Sequence, residues 1–235
     1  MTDPAAPTAE MPMPGAEPRS RVAVWLGSAA PMRSVRWLDG AIKAVAGFPG
    51  AIAIAAGDPT WLDLAADRAK LVGVPCAGIA TELQLDYLGW AQVVVAAVLQ
   101  LNVASVLVDE ASRPERFPEV AAIAELLGAA QLTHVVRVAQ MEGGMLATRL
   151  AGGELQTLRV RGPAVIGVRI ADAPVDEYPT PRPGSAMQRF DLALLGLDPA
   201  VLGHRAQPPR TGAEPRKTVE RIAEHLAVHV RARGA

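Results

Sequence analysis

The sequence predicts an α/β fold, with a doubly wound and mostly parallel sheet that carries an added β-hairpin and is followed by a C-terminal helical arm. Three observations predict it. Short, mainly apolar runs alternate with helical stretches between residues 21 and 109, a later region alternates apolar and polar residues around a Gly-Gly pair, and a proline-rich stretch precedes the last helical segment. Apolar strands separated by helices are typical of a parallel sheet that is covered on both faces.

The first half of the chain provides four candidate strands with helical stretches between them. The longest helix candidate covers residues 82–101, and nearly all of its faces are apolar. Such a helix is expected to be buried on more than one side, against the sheet and against another subunit. The four strands are "RVAVWL" (21–26), "AIAIAA" (51–56), "VPCAGIA" (74–80) and "ASVLVD" (104–109).

The second half begins with "EVAAIAELLGAAQLTHVVRV" (119–138), which reads as a helix that continues into a strand. Two alternating segments, 145–150 and 155–160, follow it and predict a hairpin, because Gly152 and Gly153 can adopt the positive φ angles of a tight turn. A further strand is predicted at 163–170.

The two ends of the chain differ from this central region. Residues 1–20 are rich in proline and lack apolar periodicity, which predicts a disordered tail. Residues 21–202 are expected to form the α/β domain. Residues 203–235 are expected to form an arm for partner contact, in which a proline-containing linker carries a helix at 216–232.

Composition narrows the class of partner and the compartment. The formal net charge is -1 with 20% charged residues, so no broad electrostatic surface for nucleic acid or anionic lipid is indicated. No uncharged run approaches the roughly 20 residues that span a bilayer. The tail lacks the pattern of a secretory signal, and its acidic residues argue against a transit peptide, so a cytoplasmic location is expected. The single cysteine, Cys76, is interpreted as a buried structural thiol.

Motifs for catalysis are missing from the sequence, which contains no Walker loop, G-x-G-x-x-G, G-x-S-x-G or H-E-x-x-H. His225 and His229 lie four apart beside Glu224, a spacing that could hold a metal. Without a third ligand nearby, we interpret them as an exposed pair stabilised by the helix dipole, and predict no metal. His134 is interpreted as structural. The chain is therefore not expected to be an enzyme on its own.

Four segments carry a family resemblance. "IAELLGAAQLTHVVRV", "EGGMLATRLAGGELQTLRVRGPAVIGV", "EYPTPRPGSAM" and "LLGLDPAVL" follow one another over residues 123–202. In this order and spacing they resemble the second half of the β subunit of electron transfer flavoproteins. The resemblance implies an adenine-nucleotide-binding-like sheet, and residues 21–109 agree with it in layout.

The resemblance also implies a function. Members of this family are electron carriers of two different subunits, in which the β subunit pairs with an α subunit that holds FAD. The pair shuttles electrons from a dehydrogenase donor to a redox acceptor. In many members the β subunit also holds AMP, or a second FAD where electrons are bifurcated.

The nucleotide site of the β subunit departs from the family pattern here. Aligned without gaps, the phosphate-binding Thr-Gly pair of the family falls on Glu119 and Val120, and a carboxylate there would repel phosphate. Glu119 behind Pro118 also suits the first turn of a helix, where it supplies a negative charge of its own. The family's asparagine segment is missing as well, so the AMP site is expected to be vestigial. The candidate cofactor contacts that remain are Gly27 and Ser28 in the small-residue loop "GSAAP", Gly57, and the side chains of Arg113 and Arg116.

A second departure concerns the loop after Tyr178. Members that serve acyl-CoA dehydrogenases carry an apolar anchor and a lysine-rich run there, whereas this chain has "PTPRPGSAMQRF". The loop is expected either to dock a dehydrogenase of another kind or to be a solvent loop without function. The whole chain could also be a non-redox scaffold or regulatory protein that keeps the fold. The candidate docking residues are Tyr178, Arg182, Met187, Arg189 and Phe190.

Overall fold

The computed structural model describes residues 21–28, 35–110, 117–170 and 187–202. All of them belong to one unit, Met1–His204. The predicted tail at 1–20 and the predicted arm at 203–235, with its helix and both of its histidines, lie outside the described residues. Among the described helices, none combines the length and the apolar character that crossing a bilayer requires.

The described residues form a single sheet of nine strands in the order β7-β6-β5-β8-β4-β1-β2-β3-β9. Only β5–β6 and β6–β7 pair antiparallel, so the predicted mostly parallel α/β fold is confirmed. The strands are β1 (Arg21–Ser28), β2 (Ile52–Gly57), β3 (Cys76–Ala80), β4 (Val103–Asp109), β5 (Ala130–Met141), β6 (Gly144–Ala151), β7 (Glu154–Val160), β8 (Ala164–Val168) and β9 (Gln188–Asp191). The helices are α1 (Val35–Ala46), α2 (Pro59–Val72), α3 (Tyr87–Gln100) and α4 (Phe117–Leu127).

Helices cover both faces of the parallel part of the sheet. Val24 and Leu26 of β1 pack on one face with α1 and α2, while Ala23 and Trp25 pack on the other with α3 and α4. Successive side chains of a strand point to opposite faces, so a strand buried on both sides must be apolar throughout. This is the physical reason for the continuous apolar runs of the sequence.

Helix α3 begins later than the sequence predicts, at Tyr87 rather than at residue 82. Asp86 sets this boundary, because its backbone is extended and its side chain accepts a hydrogen bond from the Gly89 N–H at 2.8 Å. An aspartate in this position satisfies a backbone donor that the helix itself leaves unpaired. The apolar faces of α3 pack on the sheet and on α4, so the predicted packing of this helix against the sheet is confirmed.

The last strand, β9, was not predicted. It overlaps the end of the segment expected to be a docking loop and pairs in parallel with β3, with Phe190 opposite Ile79. Its four residues, "QRFD", are too few to show a strand periodicity. The segment nevertheless extends an otherwise open edge of the sheet.

Candidate functional site

The expected ligand site of such a sheet lies where the strand order reverses. Here β1 has β2 on one side and β4 on the other. The helix that follows β1 covers one face of the sheet, and the helix that follows β4 covers the opposite face. Open α/β sheets bind ligands in the crevice outside the carboxyl ends of two such strands. The candidate site is therefore the crevice at the ends of β1 and β4.

On the α3–α4 face, the crevice contains a buried indole–carboxylate pair. The Trp25 Nε1–H of β1 donates a hydrogen bond to Glu119 Oε1 at 2.7 Å. Trp25 is completely buried, and Glu119 is only 4% exposed in the first turn of α4. The Trp25 ring also packs against Trp90 of α3, with ring centroids 6.1 Å apart. The carboxylate thus occupies the positive end of the helix dipole while an indole binds it from inside.

On the α1–α2 face, a second indole–carboxylate pair mirrors the first. The Trp37 Nε1–H of α1 donates to Asp109 Oδ2 at 2.9 Å, and Asp109, the last residue of β4, is fully buried. The other oxygen of Asp109 accepts a hydrogen bond from the Ile170 N–H at 3.4 Å. Two tryptophans and two carboxylates therefore meet the crevice from opposite faces of the sheet.

Gly27 and Gly57, the two glycines predicted to contact a cofactor, lie at the same edge of the sheet. Their carbonyl groups accept hydrogen bonds from other residues of the chain. Gly27, with φ +79°, accepts a hydrogen bond from the Trp61 Nε1–H at 3.3 Å. Gly57, with φ +144°, accepts one from the Thr81 N–H at 3.1 Å. Both positive φ angles favour glycine. The positive φ angles and the hydrogen bonds of Gly27 and Gly57 therefore have a structural role at the ends of β1 and β2.

The chemistry of the crevice disfavours a phosphate. A phosphate site needs backbone N–H groups or cationic side chains that point to the ligand. Among the described residues of this crevice, the side chains are indoles and carboxylates that bind one another, and the carboxylates would repel a phosphate. Comparison of the sequence with protein-family models and with curated proteins finds no match. Function therefore has to be inferred from this geometry and from the resemblance over residues 123–202.

Several predicted site residues cannot be placed. Arg113, Arg116, Tyr178 and Arg182 lie outside the described residues, and so does the side chain of Ser28. Within the described ranges, no group of three or more His, Cys, Asp or Glu side chains is arranged to hold a metal ion.

The expectation that Met187 and Phe190 stand out as docking anchors needs correction. Phe190 is 7% exposed and belongs to the core on the α3–α4 face. Met187 is partly buried against the core on the opposite face. The Met187 sulfur lies only 2.7 Å from the position that a Cβ on Gly78 would occupy. The absence of a side chain at Gly78 therefore leaves space for Met187. Both side chains therefore pack against the core of this chain, and Phe190 is too buried to serve as an exposed anchor.

Arg189, the third described docking candidate, is accessible. Its guanidinium forms an ion pair with Asp63 of α2 at 2.6 Å, with side-chain exposures of 54% and 63%. Exposed pairs of this kind contribute between about 0 and 1 kcal/mol to stability. The Asp63 ion pair therefore leaves the Arg189 guanidinium at the surface of the sheet edge.

Sequence reasoning missed a buried carboxylate, Glu110, directly after β4. Glu110 is 6% exposed, and its Oε2 accepts a hydrogen bond from the backbone N–H of His134 at 2.8 Å. Burial raises its pKa, and the charge of Asp109 raises it further, whereas the His134 hydrogen bond and the charge of His134 act in the opposite direction. The adjacent acidic pair "DE" at the end of an apolar strand was the feature that could have revealed it.

A further buried charge joins two helices. Asp39 of α1 is 1% exposed, and its two carboxylate oxygens accept hydrogen bonds from Arg68 of α2, each at 2.6 Å. A bidentate pair fixes both the distance and the orientation of its two side chains. This pair therefore aligns α1, which carries Trp37, with α2.

Proposed function

We propose that this chain is the β-type subunit of an electron transfer flavoprotein and works in the cytoplasm with an FAD-carrying α subunit. Electrons pass from a dehydrogenase through the FAD of the partner to a downstream acceptor. The chain itself is expected to hold no AMP, because buried carboxylates that accept hydrogen bonds from indoles lie beside its own crevice and would repel a phosphate.

The arrangement of the resembling segments supports the proposal. The segments at residues 123–202 form the end of α4, the β5–β8 extension of the sheet, and β9. Beyond β4 the sheet continues through β8 and β5 into the antiparallel pair β6–β7. The described residues of these segments belong to one structural unit, with β5–β8 on one side of the sheet and β9 at the opposite edge, and residues 177–186 lie outside the described part of the chain.

The contact between Trp25 and Glu119 is the observation that best supports the expected absence of AMP. It places a buried carboxylate in the first turn of α4, where the dipole of a helix would otherwise attract phosphate. The sheet is of a nucleotide-binding type, but buried carboxylates lie beside its crevice. This combination is expected of a subunit whose redox cofactor is held by another chain. This geometry favours a structural and docking role over catalysis.

Copurification tests the pairing. The full-length chain, tagged and expressed in its natural host, is expected to bring down a second subunit with the absorption spectrum of oxidised flavin. Reduction of that flavin by a dehydrogenase fraction from the same host is then followed by loss of absorbance. Recovery of the chain with a flavin-free partner, or without any partner, would instead favour the scaffold or regulatory role.

Two deletions sharpen the test. Removal of residues 203–235 is expected to abolish recovery of the flavoprotein partner, because these residues are predicted to form the contact arm. Removal of residues 1–20 serves as the matched control and is expected to leave recovery unchanged. Equal recovery with both deletions would contradict the role of the arm.

A further inference from the structure

A cavity of about 380 Å³ lies at the other end of the sheet from β9, between β5 and the tip of the β6–β7 hairpin. Its origin is visible in the strand register. β6 pairs with β5 as far as Val135 opposite Arg149, and Leu150 and Ala151 then pair only with β7. The hairpin tip therefore separates from the first residues of β5, and the volume between them is within the range of small-ligand sites.

Two irregularities of β5 shape one wall of this cavity. Between Leu132 and Val135, β5 contains one residue more than the facing part of β8. Between Val135 and Arg137, it contains one residue more than the facing part of β6. His134 lies in the first bulge with φ +58°, and Val136 lies in the second. Bulges of this kind are over-represented beside binding sites, where they redirect side chains.

The first bulge is held by the buried carboxylate of Glu110. Its Oε2 accepts the hydrogen bond of the His134 N–H, while its Oε1 is buried and has no hydrogen-bond partner among the described residues. Gly167 of β8 makes this possible, because a Cβ at that position would collide with the carboxylate. A half-satisfied buried carboxylate and a left-handed histidine both reduce stability. Such features are concentrated at functional sites, which indicates a role for the wall they build.

The cavity is lined by positive charge. Arg149 and Arg169 both line it, and its described lining contains no carboxylate. The guanidinium of Arg149 donates hydrogen bonds at 3.2 and 3.3 Å to Gln156 Oε1, a neutral acceptor. Within the described part of the chain, the side chain of Arg169 makes no hydrogen bond or ion pair. Two arginines that have no carboxylate partner in the described ranges favour a carboxylate or phosphate ligand.

The remaining lining is partly apolar. Val136 is 42% exposed and Leu150 is 45% exposed, and both face the cavity together with the glycines of the hairpin turn. Exposed branched side chains beside two cations suit a ligand that has an anionic group and a short apolar body. A free inorganic anion would leave this apolar surface uncovered.

We propose that this cavity binds a small organic anion, whose carboxylate or phosphate group is held by Arg149 and Arg169 and whose apolar part contacts Val136 and Leu150. The site is separate from the crevice at the ends of β1 and β4. It is independent of the proposed electron-transfer function.

The test is a calorimetric titration of the full-length chain, alone or in its purified complex, with n-butyl phosphate, butyrate and inorganic phosphate. Saturable binding of n-butyl phosphate or butyrate is expected, and the stronger of the two identifies the anionic group. Inorganic phosphate is expected to bind more weakly, because it lacks the apolar part. If neither organic probe shows saturable binding at concentrations up to about 10 mM, the proposal is overturned.

Variants locate the binding. Arg169→Gln and Arg149→Gln are each expected to weaken the stronger probe about tenfold or more, since each removes a charge-assisted contact. Arg159→Gln, at an exposed arginine of β7 that does not line the cavity, is the matched control and is expected to bind as the wild type does. Arg169 is exposed, so its replacement is expected to leave folding intact even if Arg149→Gln fails to fold. Wild-type affinity in Arg169→Gln, or equal weakening in Arg159→Gln, would overturn the proposed site.

Discussion

The indole nitrogen of Trp25 and a carboxylate oxygen of Glu119 lie 2.7 Å apart in the core, although 94 positions separate the two residues in sequence. The bond joins β1 to the first turn of the helix that follows β4. It therefore connects the two elements between which an α/β sheet of this type would bind a nucleotide. The same pair contributes to stability and puts a negative charge where the dipole of α4 would otherwise attract a phosphate.

Replacing Trp25 by Phe is expected to destabilise the chain by about 2 kcal/mol, because it removes the indole donor and leaves a buried carboxylate with one hydrogen bond fewer. Glu119→Gln keeps an acceptor for the indole and is expected to cost less. Denaturant unfolding of the two single variants and the double variant gives their coupling energy. Additive effects within about 0.5 kcal/mol would show that the bond does not matter.

The nucleotide content of the purified complex tests the prediction that this chain holds no AMP. On denaturation, the purified complex with the α subunit is expected to release FAD and no stoichiometric AMP, because buried carboxylates lie at the end of β4 (Asp109) and in the first turn of α4 (Glu119). The released nucleotides are separated by chromatography and quantified against the protein. AMP or a second FAD at one per chain would contradict this prediction and would make Arg113 and Arg116 the first residues to replace.

Phe190→Ala is expected to reduce the free energy of unfolding by about 3 to 5 kcal/mol, since it removes a buried aromatic side chain from the core. Arg189→Ala, one residue away, is the matched surface control, and its loss should stay below about 1 kcal/mol because its ion pair is exposed. Thermal unfolding of both variants is the measurement. Equal stability of Phe190→Ala and the wild type would show that β9 is not part of the folded sheet.

Arg189 also offers a test of electron-donor docking. If a dehydrogenase contacts this edge, Arg189→Ala is expected to lower the apparent affinity of the complex for that dehydrogenase by up to about fivefold, as removal of one exposed interface charge does. Flavin reduction is measured against dehydrogenase concentration at two salt concentrations. A matched Arg159→Ala variant, on the far hairpin, should leave the curve unchanged. Identical curves for all three proteins would place docking elsewhere.

The buried carboxylate of Glu110 predicts a pH dependence. Burial raises its pKa above the ordinary value of 4.5, so the folded chain binds this proton more tightly than the unfolded chain does. Its contribution to stability is therefore full below that ordinary value and is lost as the pH rises through the raised pKa. The wild type should approach Glu110→Gln in stability near pH 4 and become less stable than it near neutral pH. A stability difference that stays constant over this range would contradict the prediction.

The parts of the fold that depend on local sequence were predictable. Continuous apolar runs identified β1 to β4, and the turn at Gly152 and Gly153 has the expected positive φ angles of +59° and +84°. The start of α3 was misplaced because Leu85 continues the apolar periodicity, although it lies before the cap at Asp86 and is buried outside the helix. Periodicity alone does not distinguish a buried residue of the preceding segment from the first turn.

The contacts of the candidate site were only partly predictable. The position of Glu119 in the first turn of a helix follows from its local sequence, whereas its indole partner depends on the packing of α4 over β1. The role of Glu110 was hidden for a similar reason. It depends on the register that sets a glycine of β8 beside the carboxylate, and no local pattern specifies which glycine that is.

The late position of β9 has a consequence for synthesis of the chain. β3, with the apolar sequence "CAGIA", pairs with β2 on one side and with β9 on the other. Because β9 comes near the end of the described region, the ribosome releases β3 long before the strand that covers its outer edge exists. An apolar strand with an open edge can pair with another chain and aggregate. The nascent protein is therefore vulnerable until Gln188–Asp191 emerges, and a ribosome-bound chaperone that shields "CAGIA" would raise the yield of folded protein.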